Sequence, residues 1–165
     1  MRLSRIVLAA VALAACSSPR EAPPATADVI KWTAQPGAVR VAEDGGSLLH
    51  VDLWAEVAPG WKLYSLTQKG DGPVPMTVKL EPDSPYSIEG PVNGPPPTRE
   101  MDPNFDIETE THTGAAQFTL TVRVPTGADI SKPIDLKVRS QACSDRLCLP
   151  PRTTTVSIPA EAATI

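Results

Sequence analysis

A basic excess, long apolar runs and cysteine are all scarce in this 165-residue chain. Fifteen Lys and Arg against nineteen Asp and Glu give a formal net charge of −4. With the signs scattered, that argues against nucleic acid, which selects clustered Lys and Arg. The chain has two histidines, no Ser-His-Asp arrangement and no glycine loop fit to cradle phosphate. Past the first fifteen residues no apolar run approaches the roughly 20 residues needed to cross a bilayer. Long helices are excluded by nineteen prolines, about twice the usual proline frequency of roughly 5%, because each one removes a helical donor and clashes with the preceding turn. No internal repeat is visible. What remains is enough chain for one domain with its own core.

The N-terminus reads MRLSRIVLAAVALAAC. Arg2 and Arg5 precede an apolar run from Ile6 to Ala15, the pattern of a removable signal rather than a membrane span. The order Leu13, Ala14, Ala15, Cys16 resembles the bacterial lipoprotein lipobox. That resemblance implies a signal peptide over 1–15 and a lipidated Cys16 heading a flexible Pro-, Ala- and Ser-rich tether through residue 28. Ser17 stands where inner-membrane lipoproteins often carry Asp, which favours the outer membrane. With Cys16 consumed by lipid, Cys143 and Cys148 are each other's only partners, in a compartment that permits disulfides.

Residues 29–159 carry the alternation of half-buried strands. SLLHVDLWAEV places Leu49, Val51, Leu53, Ala55 and Val57 on one face, and AAQFTLTVRV does the same with Ala116, Phe118, Leu120, Val122 and Val124. PIDLKVRSQA follows with Ile134, Leu136, Val138 and Ala142. Shorter strand candidates are VIKWTA, AVRVAE, WKLYS, MTVKLE, YSIEG and TTTVSI. Strands separated by Pro and Gly turns without helices between them predict an all-β, antiparallel, immunoglobulin-like sandwich, with 160–165 as a loose tail. Residues 90–106 lack a pattern and read as a long loop of the kind that carries function. His50 and His112 are expected on solvated faces or turns, and DIETETH as a solvated edge.

The segment QACSDRLCLPP, residues 141–151, reads as a hairpin whose two cysteines face each other across the strand ends, close enough for a disulfide. Pairing Cys143 with Cys148 in plain register would set Val138 opposite Thr153 and turn Val156 and Ile158 away from the core. A slip of one residue repairs this, and the donor-less Pro150 and Pro151 are the natural place for the extra residue. A loop this short stabilises by only about 2 kcal/mol when cross-linked. Redox centre and structural staple therefore both remain open. Metal binding by the two thiolates with His112 or a Met is the weaker third reading, since C-x4-C spacing is unusual for zinc and no second ligand pair is visible. No cofactor is expected.

ACSDRLCLPP, PGWKLYS at 59–65 and DPNF at 102–105 resemble, in that order, the N-terminal periplasmic domain of the thiol:disulfide interchange protein DsbD, over roughly residues 30–159. The resemblance implies an immunoglobulin-like domain that takes electrons from a thioredoxin-like domain and passes them to exported thiol proteins. It implies that Cys148 forms the mixed disulfides and that Cys143 resolves them. Phe105 would cap the pair, Asp102 would be the acidic residue before it, and Tyr64 would line the site. DsbD continues past this module into a membrane conduit and a second thioredoxin-like domain. The expected reductase, thioredoxin-like or a DsbD-type membrane protein, therefore acts in trans, with the lipid anchor holding the domain at a membrane in the periplasm. The competing expectation is a non-catalytic, immunoglobulin-like binding lipoprotein whose disulfide is structural.

Overall fold

The structure is a computed structural model that describes residues 24–164. The proposed signal peptide, Cys16 and most of the tether lie outside those residues. A one-turn helix, α1 (Thr26–Val29), leads into β1 (Ile30–Val41) and β2 (Ser47–Val57). Then come β3 (Lys62–Tyr64), β4 (Thr77–Leu80), β5 (Ser87–Asn93), β6 (Thr98–Asp102) and β7 (Ile107–His112). The last strands are β8 (Ala115–Val124), β9 (Ile134–Ser140), β10 (Ala142–Cys143) and β11 (Arg152–Ile158), followed by a short 3-10 helix, Ala160–Ala163.

These strands form an all-β, antiparallel, immunoglobulin-like sandwich. One sheet has the order β1-β2-β8-β5, the second β11-β9-β4, and a third, β10-β3-β7-β6, extends from the second because β9 runs on into β10. The alternating residues of β2, β8 and β9 all point inward: Leu49, Val51, Leu53, Phe118, Val122, Ile134, Leu136 and Val138 have no exposed surface. Burying each such side chain contributes about 1.5–3 kcal/mol. Phe118 is the largest contributor from β8. Trp32 packs against it at a tilt, and His112 meets its ring edge-on.

The structure changes four local expectations. VIKWTA and AVRVAE are one strand, β1, with a bulge between Pro36 and Val39 in place of a turn; β1 is an edge strand, where a missing N–H costs no ladder bond. Residues 90–106 are not one loop. They supply the end of β5, all of β6 and a tight turn into β7, and the pattern is unreadable because β6 is an edge strand with both faces partly wet. All of DIETETH but Asp106 is β7, flanked on both sides by strands, and it buries Thr109, Thr111 and His112. Ala160 and Ala163 are buried against the core, so residues 160–163 of the segment expected as a tail are docked there.

Truncating Phe118 to Ala should remove about 3–5 kcal/mol of stability, read as a lower urea midpoint with an unchanged slope. Trp54→Ala, on the outer face of β2, should change the midpoint little.

Candidate functional site

The cysteine hairpin starts where two ladders fall out of step. β9 and β11 pair Ile134 with Ile158, Leu136 with Val156 and Ser140 with Arg152, which keeps Val156 and Ile158 in the core. Beyond that, Ala142 O accepts a hydrogen bond from Leu149 N (2.9 Å) and Cys143 lies opposite Cys148. Between the two registers Gln141 stands alone against Pro150 and Pro151. This two-against-one break is at the LPP position the sequence pointed to. Prolines tolerate it because they have no N–H to leave unpaired.

The break frees backbone carbonyls, and side chains satisfy them. Gln141, buried, donates through Nε2 to Leu149 O (3.1 Å) and accepts from Val74 N at Oε1 (2.8 Å). Thr26, also buried, donates to Pro150 O (2.8 Å). The start of the domain is thereby pinned two residues from Cys148. The hairpin tip is closed by Ser144, whose N–H donates to Leu147 O (2.8 Å) and whose Oγ accepts from Arg146 and Leu147 N–H groups.

Cys143 and Cys148 form a disulfide across a Cα separation of 4.1 Å, as expected for a directly opposed, non-hydrogen-bonded pair. The two cysteines differ in access. Cys143 is 1% exposed, whereas Cys148 is only partly buried.

Tyr64 reaches the same place from β3. Its hydroxyl donates to Asp102 Oδ2 (2.7 Å) and lies 3.9 Å from Cys148 Sγ. Burial, and then the hydrogen bond to Asp102, pushes the phenol pKa well above its ordinary value. Burial works the other way on Asp102 and would raise its pKa. The Tyr64 hydroxyl, the Asn104 backbone and side-chain N–H groups and the nearby Lys62 charge outweigh it, leaving the carboxyl below its ordinary 3.8. Asp102 is therefore a buried carboxylate with its charge retained.

The β6–β7 turn, Pro103–Asp106, carries Phe105. Asp102 Oδ1 accepts from Asn104 N (2.8 Å), and Asp102 O accepts from Asp106 N (2.8 Å). Asp106 takes a positive φ of 56°, a region in which Asp is one of the few tolerated residues. Asn104 Nδ2 donates to Ser144 O (2.8 Å), lacing this turn to the cysteine hairpin. Phe105 packs edge-on against Tyr64 with centroids 6.2 Å apart. Beneath it runs the 69–75 loop: a Cβ on Gly72 would fall 2.8 Å from Ile107 Cδ1 and 3.6 Å from Phe105. A side chain there would push on the turn from below.

The structure thus gathers Cys143, Cys148, Tyr64, Asp102 and Phe105 into one place. It adds residues the sequence reading passed over: Gln141, Thr26, Asn104, Ser144 and Lys62. Lys62 Nζ lies 2.8 Å from Glu100 Oε1 and 2.9 Å from Asp145 Oδ1. Hydrogen bonds first to Glu100 and then to Asp145 raise its pKa. The proximity of Lys62 and Gln141 to the cysteines in sequence or pairing was the available signal, but only the register makes it legible. His112 stands apart from the site, against Phe118, and burial lowers its pKa. Among the described residues no group of three or more His, Cys, Asp or Glu could hold a metal.

Residues 31–160 match the family model of the thiol:disulfide interchange protein DsbD, N-terminal. The chain belongs to the DsbD N-terminal domain family. No curated protein matches it in sequence. Among solved structures it is similar to the DsbD N-terminal domain of Neisseria meningitidis in the reduced form, at 17% identity and a TM-score of 0.51, over 81% of this chain and 86% of that one. It is also similar to the N-terminal periplasmic domain of ScsB from Proteus mirabilis, at 16% identity and a TM-score of 0.57. That alignment takes in 81% of this chain and about half, 47%, of the other. At such identities the likeness is one of fold. The DsbD family is one of thiol–disulfide exchange, and Cys143–Cys148 is the disulfide that the described residues contain.

Two outcomes follow from the braces and the buried carboxylate. Gln141→Leu, which strands Val74 N and Leu149 O, should cost about 1–3 kcal/mol in urea unfolding. Asp102 has a folded pKa below its unfolded one, so its contribution to stability is complete above the unfolded value and is lost as pH falls through the folded one. Stability measured from pH 7 down to 2 should therefore drop less steeply in Asp102→Asn than in the parent.

Proposed function

We propose that the domain is an electron carrier of the cell envelope. It relays reducing equivalents through Cys143 and Cys148 from a membrane-bound or thioredoxin-like reductase to exported thiol proteins. The observation that carries this reading is the unequal burial of the two cysteines of one disulfide, Cys143 sealed and Cys148 only partly covered. A structural staple has no need of one reachable cysteine and one protected one; an exchange centre does.

In the loading direction a reductase thiolate attacks Cys148 Sγ. The S–S bond breaks, its electron pair leaves on Cys143 as a thiolate, and a mixed disulfide joins the reductase to Cys148. The reductase's second thiolate then attacks its own sulfur in that bond and releases Cys148. The domain has gained two electrons, and two protons once both thiols are neutral. Unloading is the reverse: the Cys148 thiolate attacks the disulfide of an exported protein, and Cys143 resolves the mixed disulfide by attacking Cys148. Phe105 and its turn cover the site until a partner displaces them. The Asp102 carboxylate, held ionised beside Tyr64, disfavours a second negative charge at Cys148 and keeps the reduced pair quiet.

In the same reading Cys16 carries the lipid and holds the domain at a membrane of the envelope, the outer one by the nature of Ser17. The tether joins the fold at Thr26, beside the redox hairpin.

The test is trapping. With Cys143→Ser, Cys148 should hold thioredoxin-like proteins and exported thiol proteins as mixed disulfides that survive denaturing, non-reducing separation; with Cys148→Ser it should not. Trapping by both variants equally, or by neither, would sink the assignment of roles. Removing the cap with Phe105→Ala should speed reduction by glutathione several-fold, since the turn slows the approach of small thiols.

A further inference from the structure

Lys62 lies directly across from the buried cysteine. In the short β10–β3 ladder Cys143 is paired directly with Lys62. Directly opposed residues of an antiparallel pair share a face, with Cβ atoms about 4.5–5.5 Å apart, well within the reach of a lysine side chain. The Lys62 side chain is 19% exposed and spans two segments of the site: Glu100 on β6 and Asp145 at the tip of the cysteine hairpin. Its ammonium is held between two carboxylates, on the face of the ladder it shares with Cys143, whose sulfur must leave as an anion each time Cys148 is attacked. The two groups that hold Lys62, Glu100 and Asp145, are negative, as is the nearby Asp102, while the Tyr64 phenol is kept neutral.

We propose that Lys62 is the group that stabilises the Cys143 thiolate released in the exchange reaction. As the partner's thiolate bonds to Cys148 Sγ and the Cys143–Cys148 bond breaks, the departing electron pair comes to rest on Cys143 Sγ, beside Lys62. The cation makes that sulfur a better leaving group, because the rate of exchange rises as the leaving thiol's pKa falls. In the reverse step the same cation keeps a larger fraction of Cys143 ionised and ready to attack the mixed disulfide. Lys62 thus offsets the surrounding carboxylates at Cys143, while Asp102 acts on Cys148. The two sulfurs are tuned in opposite senses.

This inference rests on the exchange reading, but its test is separate. In the full chain carrying Cys16→Ser and Cys148→Ser, Cys143 is the single thiol, and its ionisation can be followed by ultraviolet thiolate absorbance against pH. Lys62→Met should raise the midpoint by about one unit, the size expected from losing an opposite charge within about 4–6 Å, and Lys62→Arg should restore it. The decisive comparison is the same substitution in a Glu100→Gln, Asp145→Asn background. If Lys62 acts on the sulfur, the rise persists there. If it merely neutralises those two carboxylates or clamps the hairpin, Lys62→Met becomes silent and the proposal falls. It falls also if the midpoint does not move in the parent background. Lys62→Gln serves as the neutral variant should the Met form fail to fold, as judged by circular dichroism. Because this is an equilibrium titration of one thiol, it can fail while electron exchange through the pair still stands.

Discussion

One residue of mismatch between two ladders organises this domain. The β9–β11 pairing must place Val156 and Ile158 in the core, and the hairpin beyond must set Cys143 squarely opposite Cys148. In an unbroken ladder these demands are incompatible, because a shift of one residue turns every side chain to the other face. Gln141 against Pro150 and Pro151 absorbs the difference. The break also delivers carbonyls that need donors, and Gln141 and Thr26 supply them. The redox hairpin is therefore held by the same contacts that close the sandwich.

Above that break the site separates two roles by burial. Cys143 is sealed, and Cys148 is partly open beside Tyr64, on which the Phe105 turn packs. The turn is not a free lid. Asn104 ties it to Ser144 on the hairpin, and the Asp102 carboxylate holds both Asn104 and the Tyr64 hydroxyl. Displacing Phe105 means giving up a small set of hydrogen bonds that a partner must replace with its own. In the proposed relay this requirement would make exchange selective, since a small thiol brings no such surface.

Much of this was readable in advance, and what was not has physical causes. Strands β2, β8 and β9 have one wet face and one dry face, so their period of two is plain in Leu49 to Val57 and Ala116 to Val124. The bulge at Pro150–Pro151 was legible for the same reason: only one register keeps Val156 and Ile158 inside. Strand β6 escaped because an edge strand with Thr98, Arg99 and Met101 exposed has no dry face to mark it. Strand β7 escaped because its buried positions are Thr109 and Thr111 rather than aliphatic. Phe105, Tyr64 and Asp102 were found through family resemblance, whereas Lys62 and Gln141 acquire meaning only from pairing across strands. Sequence spacing alone does not report that pairing.

The central claim is that the Cys143–Cys148 bond is made to be broken. Its most direct test is the reduction potential of the pair in the chain carrying Cys16→Ser, equilibrated against glutathione buffers and read by alkylation of free thiols, with circular dichroism recorded on the reduced protein. An exchange centre should have a potential above about −250 mV and stay folded when reduced. A potential below about −300 mV, or unfolding on reduction, would contradict the claim and make the disulfide a staple.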